Sequence, residues 1–218
     1  MSNHPFPELT LVEARILGVL AEKQKTVPDT YPLSLNALLS GCNQKTSRDP
    51  IMELTEASVA EALDNLRHRS LVIESSGGRV ARYAHNIDRV LQIPVQSLAI
   101  LTTLMLRGPQ TAGEIRLNSE RLHRFSDISA VEGFLNELAE RSSGNLVKEL
   151  PRQPGARENR WAHLLCGEPA IELTNAISTP ASAHTSELAA LRAEVDSLRE
   201  TVSQLQAQLT KISQELGL

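Results

Sequence analysis

Along residues 10–24, TLVEARILGVLAEKQ, the apolar positions Leu11, Ala14, Leu17, Gly18 and Ala21 recur at steps of three and four. That is the period of one face of an α-helix. Thr10 suits the N-cap, and Glu13, three residues on, completes a capping box. A proline-bounded loop, TVPDTYP, leads to a short predicted helix, SLNALLSGCNQ, with Ser34 as its cap. KTSRDPIMEL breaks at Pro50. A third helix is then predicted over 55–70, capped by Thr55 and striped by Val59, Ala62, Leu63 and Leu66. The period next drops to two: LVIE, the turn SSGG and RVARYAH predict a β-hairpin.

The same order returns downstream. Pro94 starts a helix over VQSLAILTTLMLR, TAGEIRL opens a shorter one, and DISAVEGFLNELAERS is a third, capped by Asp127. LVKEL and RWAHLL read as strands on either side of PRQPGAREN. Two stretches align between the halves: VAEALDNL with VEGFLNEL, and RVARYAH at 79–85 with RENRWAH at 157–163. Two matches in the same order mark an internal duplication. Three helices followed by a hairpin is the order of a winged helix-turn-helix. The expected fold is therefore mainly α with small β-hairpins, as two tandem winged helix-turn-helix domains at 8–92 and 93–168. On the returning strand Arg79, Ala81, Tyr83 and His85 share one face, while Val80, Arg82 and Ala84 share the other. Tyr83 and Trp161 are expected to pack each hairpin onto its third helix, with His85 and His163 as satisfied structural histidines.

After residue 168 the pattern changes. Residues 169–186 are rich in Ala, Ser, Thr and Pro, the composition of a flexible linker. Over 187–216 the apolar residues Leu188, Leu191, Val195, Leu198, Val202, Leu205, Leu209, Ile212 and Leu216 step alternately by three and four. This is a heptad with its a position at 188 and d at 191, predicting a C-terminal coiled-coil helix. Glu187 and Glu194 fall at g, Arg192 and Arg199 at e, which favours a parallel homodimer.

Composition narrows the function. The chain is 41% hydrophobic but only 3% aromatic, so its core is aliphatic and leans to helix. The net charge is −4, and no segment is broadly basic, so the footprint of a strong nucleic-acid binder is missing. Cys42 and Cys166 stand far apart, and MSNHPFPEL lacks the pattern of a signal peptide. The expected location is cytoplasmic, with no membrane span. No Walker loop, Gly-rich dinucleotide fingerprint, H-E-x-x-H or paired C-x-x-C occurs. His163 and Cys166, three apart on a strand, would face opposite ways and make a poor metal pair. Neither an enzyme, a cofactor nor a metal is expected.

The stretches YPLSLNALLSGCNQKTSRDPIMELTEASVAEALDNLR, LMLRGPQTAGEIR and LPRQPGARENRWAHLL resemble the bacterial YceH-like family over about residues 8–166. That resemblance implies a pair of winged helices with a variable coiled-coil tail, and no catalytic residue or ligand. Function falls to the charges. The third helices carry Glu56, Glu61 and Asp64 in one half and Asp127, Glu132, Glu137 and Glu140 in the other, which opposes major-groove readout. Asn65 and Asn136 are their only candidate base readers. Basic groups lie elsewhere: Lys45 and Arg48 between helices two and three, Arg79 and Arg82 in the first wing, Arg152, Arg157 and Arg160 in the second. DNA gripped by these seven through its phosphates or in a minor groove, with modest affinity and low sequence specificity, is the first expectation. The alternative is a protein-interaction scaffold using the acidic third helices.

Overall fold

The computed structural model describes residues 8–75, 80–153 and 155–169, which fall within one compact unit. The described part is mainly helical with small antiparallel sheets. Helix α1 (Leu11–Thr26) opens on the expected capping box, Thr10 with Glu13. A short 3-10 turn (Pro28–Thr30) and strand β1 (Leu33–Ser34) precede α2 (Leu35–Cys42), capped by Ser34. Thr55 caps α3 (Glu56–His68), and β2 (Val72–Ser75) and β3 (Arg82–His85) form the hairpin. Each such cap is worth about 1 kcal/mol.

The second half repeats the order with α5 (Val95–Arg107), α6 (Ala112–Asn118) and α7 (Ile128–Ala139), then β4 (Val147–Glu149) paired with β5 (Trp161–His163). Between the halves lies α4 (Ile87–Leu91), which periodicity had not marked because five residues are too few to show a stripe.

Pairing register carries the duplication further than the alignment did. In the first hairpin Val72 faces His85 and Glu74 faces Tyr83. In the second, Val147 faces His163 and Glu149 faces Trp161. The third strand recurs as well: Leu33 pairs with Tyr83, and Gln110 bridges to Trp161. Leu33 and Gln110 each precede the cap of the second helix, Ser34 and Thr111. Tyr83 is half-buried and Trp161 buried, both against the core.

The halves meet through their first helices. α1 packs on α2, α3 and β3 on one side and on α5 on the other. Residues 13–21 are therefore buried without a break, the charged Glu13 and Arg15 included. Gly18 permits the approach: a Cβ there would stand 2.9 Å from the Leu106 side chain. Leu11, assigned to the core stripe by its spacing, is 60% exposed. It sits in the first turn, before α5 covers the helix. The Leu9 N–H donates to the Leu165 carbonyl at 2.7 Å, pinning the start of the first half to the end of the second. Among the described residues no helix is long and apolar enough to cross a membrane. The linker expectation, 169–186, beyond its first residue, and the whole coiled-coil expectation, 187–216, fall outside the described residues.

Candidate nucleic-acid interface

The seven basic residues singled out by sequence do not share one environment. Lys45, Arg152 and Arg157 are exposed and make no ion pair among the described residues. Lys45 sits in the loop after α2. Arg152 and Arg157 flank the tip of the β4–β5 connection, where Gly155 supplies a left-handed turn (φ 83°). Arg79 lies outside the described residues.

Arg48 is not a surface residue. Its side chain is wholly buried, and every guanidinium N–H group has a partner. Nη1 and Nη2 donate to the two Glu22 carboxylate oxygens at 3.1 and 2.6 Å, a bidentate pair. Gln44 Oε1, the Ser47 carbonyl and the Gly41 carbonyl accept the rest at 2.6, 2.8 and 3.2 Å. A phosphate contact by Arg48 is therefore corrected to an internal tie between α1 and the loop after α2. Burial pushes the Glu22 carboxyl up, but the hydrogen bonds and charge of Arg48 outweigh it and leave the group below its ordinary value.

Arg82 and Arg160 occupy equivalent places and do equivalent work. Arg82 Nη1 donates to the Pro32 carbonyl at 2.8 Å, and Arg160 Nη1 to the Pro109 carbonyl at 2.6 Å. Each arginine thus fastens the returning strand to the proline two residues before the second helix's cap. Arg160 also pairs with Glu114 at 3.1 Å, whose other oxygen caps α6 by accepting from the Thr111 N–H. Position 37, the counterpart of Glu114, is alanine, so Arg82 keeps more of its donors towards solvent.

The outward faces of the third helices are acidic. Glu56, Glu61 and Asp64 on α3 are exposed, as are Glu132 and Glu137 on α7 and Glu140 at its cap. Asn65 and Asn136 stand exposed among them. Arg67, at the end of α3, is taken up by Asp64 and Glu74 at 2.9 and 3.0 Å.

Both hairpin histidines are enclosed at Nδ1 without a hydrogen-bond partner there. His85 is held through Nε2, 2.9 Å from Gln24 Oε1, and its Nδ1 lies 3.7 Å from Asp88 Oδ1. Burial lowers its pKa, with Asp88 opposing and Lys25 adding to the shift. His163 Nδ1 likewise has no hydrogen-bond partner, so neither ring is the fully satisfied histidine expected from sequence. The residue keeps an accessible edge, but the enclosed Nδ1 governs its titration. Burial pulls the ring down to about 4. The neutral ring is the folded form, so its contribution is fully present above the ordinary value near 6.5 and is lost as pH falls towards 4. Acidification across that window is expected to cost on the order of 2–3 kcal/mol through this group. Urea unfolding at pH 7, 5 and 4 checks it: His163→Leu should lose less stability on acidification than wild type. Equal losses would refute the assignment. Cys166, expected on the same strand, lies in the turn after β5. Among the described residues no group of His, Cys, Asp and Glu is placed to hold a metal.

Residues that sequence reasoning passed over are Arg15, Arg107 and Arg121. Arg15 is buried in α1, donating to the Cys42 and Pro50 carbonyls at 3.1 and 2.5 Å. Its signal was available: Arg15 is the one charge in ARILGVLA, residues 14–21, a run without a polar face, and has to be buried with it.

A family model described as "Protein of unknown function, DUF480" matches residues 9–156. A UPF0502 protein of Dechloromonas aromatica is 58% identical over 209 residues, covering 96% of this chain and 98% of that one. A UPF0502 protein of Leptothrix cholodnii is 58% identical over 215 residues, covering 97% and 96%. A third, from Burkholderia multivorans, is 59% identical over 213 residues, covering 97% and 90%.

Proposed function

The chain belongs to the DUF480 family of bacterial proteins, and on that premise we propose that it is a non-enzymatic tandem winged-helix protein that holds DNA by its backbone without reading sequence. The order helix–helix–helix–hairpin in each half supports the winged-helix reading. So does the recurrent pairing of V-x-E with the aromatic–Ala–His strand. The observation that carries the DNA reading is the pair of exposed arginines, Arg152 and Arg157, on the second hairpin loop without an ion partner among the described residues. Lys45 and the unused donors of Arg82 extend the set. The acidic faces of α3 and α7 would repel a phosphate backbone and so argue against groove readout. What remains is phosphate contact, with modest affinity and a steep salt dependence. A parallel coiled-coil homodimer over 187–216 would double the loops presented to one duplex and raise the effective concentration of the second. A cytoplasmic location fits this reading.

Those same acidic faces favour a second reading, a protein-interaction scaffold whose partner carries a basic surface. Fluorescence anisotropy with a random duplex at two salt concentrations separates the two. Arg152→Ala with Arg157→Ala is expected to weaken binding to all sequences alike and to lower the salt slope by about one unit for each phosphate no longer neutralised. Asn65→Ala and Asn136→Ala should change little. Wild-type protein that leaves the duplex unbound even at low salt would refute the DNA reading in favour of the scaffold.

A further inference from the structure

A cleft of about 210 Å³ opens where the two halves meet, between the end of α1, the loop after α2, the end of α5 and the segment after α6. Its lining is strongly one-signed. Lys23, Arg48, Arg107 and Arg121 are cationic, and Glu22 is the one acidic side chain among the lining residues. This concentration of positive charge stands in a chain of net charge −4.

Neutralisation within the cleft is incomplete. Glu22 is already committed to Arg48 on both oxygens and lies 3.3 Å from Lys23. Arg107 is half-buried, yet its described partner is a neutral hydroxyl, Ser47 Oγ at 2.8 Å. Burial lowers its pKa, with Glu22 opposing and Arg48 adding to the shift. Arg121 is exposed at the rim with no partner among the described residues. Glu22 is shared with Arg48 and Lys23 and makes no ion pair with Arg107, so this half-buried guanidinium carries a desolvation cost that an arriving anion would offset.

The hydrogen-bonding complement is also present and held in place. Thr46 and Ser47 from the loop and Asn118 from α6 line the same space. Ser47 adopts a left-handed backbone (φ 60°). The loop around it is tied by Arg48 to the Gly41 and Ser47 carbonyls, and farther on by Asn43, which exchanges two hydrogen bonds with Leu54 at 2.8 and 2.9 Å. Asn118 is oriented by donating to Gln110 Oε1 at 2.6 Å. Guanidinium forks and hydroxyls lining one cleft suit a tetrahedral oxyanion. The volume is below the roughly 300 Å³ at which drug-sized sites begin, so the ligand is small.

We propose that this inter-lobe cleft binds a phosphate group, free or on a small phosphomonoester, with Arg107, Arg121 and Lys23 as its charged contacts and Ser47 and Thr46 as hydrogen-bond donors. The site is separate from the hairpin loops, since none of their residues lines it. Of the DNA contacts proposed above only Lys45 lies beside it, between the lining residues Gln44 and Thr46, and the proposal does not rest on the DNA reading.

Isothermal titration of the full chain in chloride buffer, with orthophosphate in one arm and glycerol phosphate in the other, tests the proposal. Saturable one-site binding is expected in at least one arm, and the tighter arm identifies whether the source is free phosphate or an ester. Arg121→Ala, a rim variant whose unfolding midpoint should match wild type, is expected to weaken that binding about tenfold. Arg107→Ala should weaken it further, and Arg107→Lys should restore part of the loss. No heat from either ligand at millimolar concentration would overturn the proposal. So would binding that survives both alanine variants, or duplex DNA that displaces the bound phosphate.

Discussion

Replacing Arg48 by alanine is expected to destabilise the described unit by about 3–5 kcal/mol, the cost of breaking a buried pair by removing one partner. The size follows from what the substitution strands. Glu22, with its side chain only 18% exposed, loses both bidentate hydrogen bonds and keeps Lys23 alone at 3.3 Å. The Gly41 and Ser47 carbonyls and Gln44 lose their donor together. The sign of the pH dependence separates this from ordinary loss of packing. In wild type the Glu22 carboxyl is held below its ordinary value, so its contribution is present above about pH 4.5 and is lost as pH falls through the folded pKa. In Arg48→Ala only burial would dominate, which raises the group instead, so acidification helps the variant where it harms wild type. The gap between the two urea midpoints should therefore narrow on going from pH 7 to pH 4. A loss under about 1 kcal/mol, or a gap that stays constant with pH, would show that the pair does not hold α1 to its loop.

Cutting the chain after residue 168 is expected to convert a dimer into a folded monomer. The heptad over 187–216 supplies the reason. Leu188, Val195, Val202, Leu209 and Leu216 fall at a, with Leu191, Leu198, Leu205 and Ile212 at d. Leucine at most d positions, with valine at two a positions, favours two strands over three or four. In a parallel pair each g residue meets the following e of the partner helix, so Glu187 faces Arg192 and Glu194 faces Arg199 across the seam. An antiparallel pair brings g to g and e to e and forfeits those matches. Each exposed pair would contribute only about 0.2–0.5 kcal/mol, so in such a dimer the charges would choose direction while the leucines would provide affinity. Reversing Glu187 and Glu194 to lysine should weaken the dimer, and adding Arg192→Glu and Arg199→Glu should recover it. Sedimentation velocity decides the matter. A monomeric full-length chain at tens of micromolar, or a dimeric truncation, would refute the tail as the dimerisation element.

Much of the fold was legible because its signals are local. Thr10, Ser34, Thr55 and Asp127 each cap a helix within three residues of themselves, and a period of 3.6 or 2 shows within a dozen positions. The duplication was visible in RVARYAH and RENRWAH because the same strand was written twice. Helix α4 escaped through brevity. The exposure of Leu11 escaped because spacing says which residues share a face, not how far along the helix its neighbour reaches.

The fate of the arginines was not written locally. Sequence by itself determined the longer helices, the hairpins, their caps, their order and the heptad, all of which depend on neighbours a few residues away. Only the tertiary structure decided which cations are free, because an arginine's partner lies wherever the fold brings a carbonyl or carboxylate. Arg48 meets Glu22 across 26 residues, Arg82 meets Pro32 across 50, and Arg160 meets Pro109 across 51. Lys45, Arg152 and Arg157 are left in solvent by the same packing, and Arg107 and Arg121, from segments that sequence offered no reason to join, come to line one cleft. A side chain's charge is fixed by its chemistry, but its availability is fixed by how much water and how many acceptors the folded chain leaves around it.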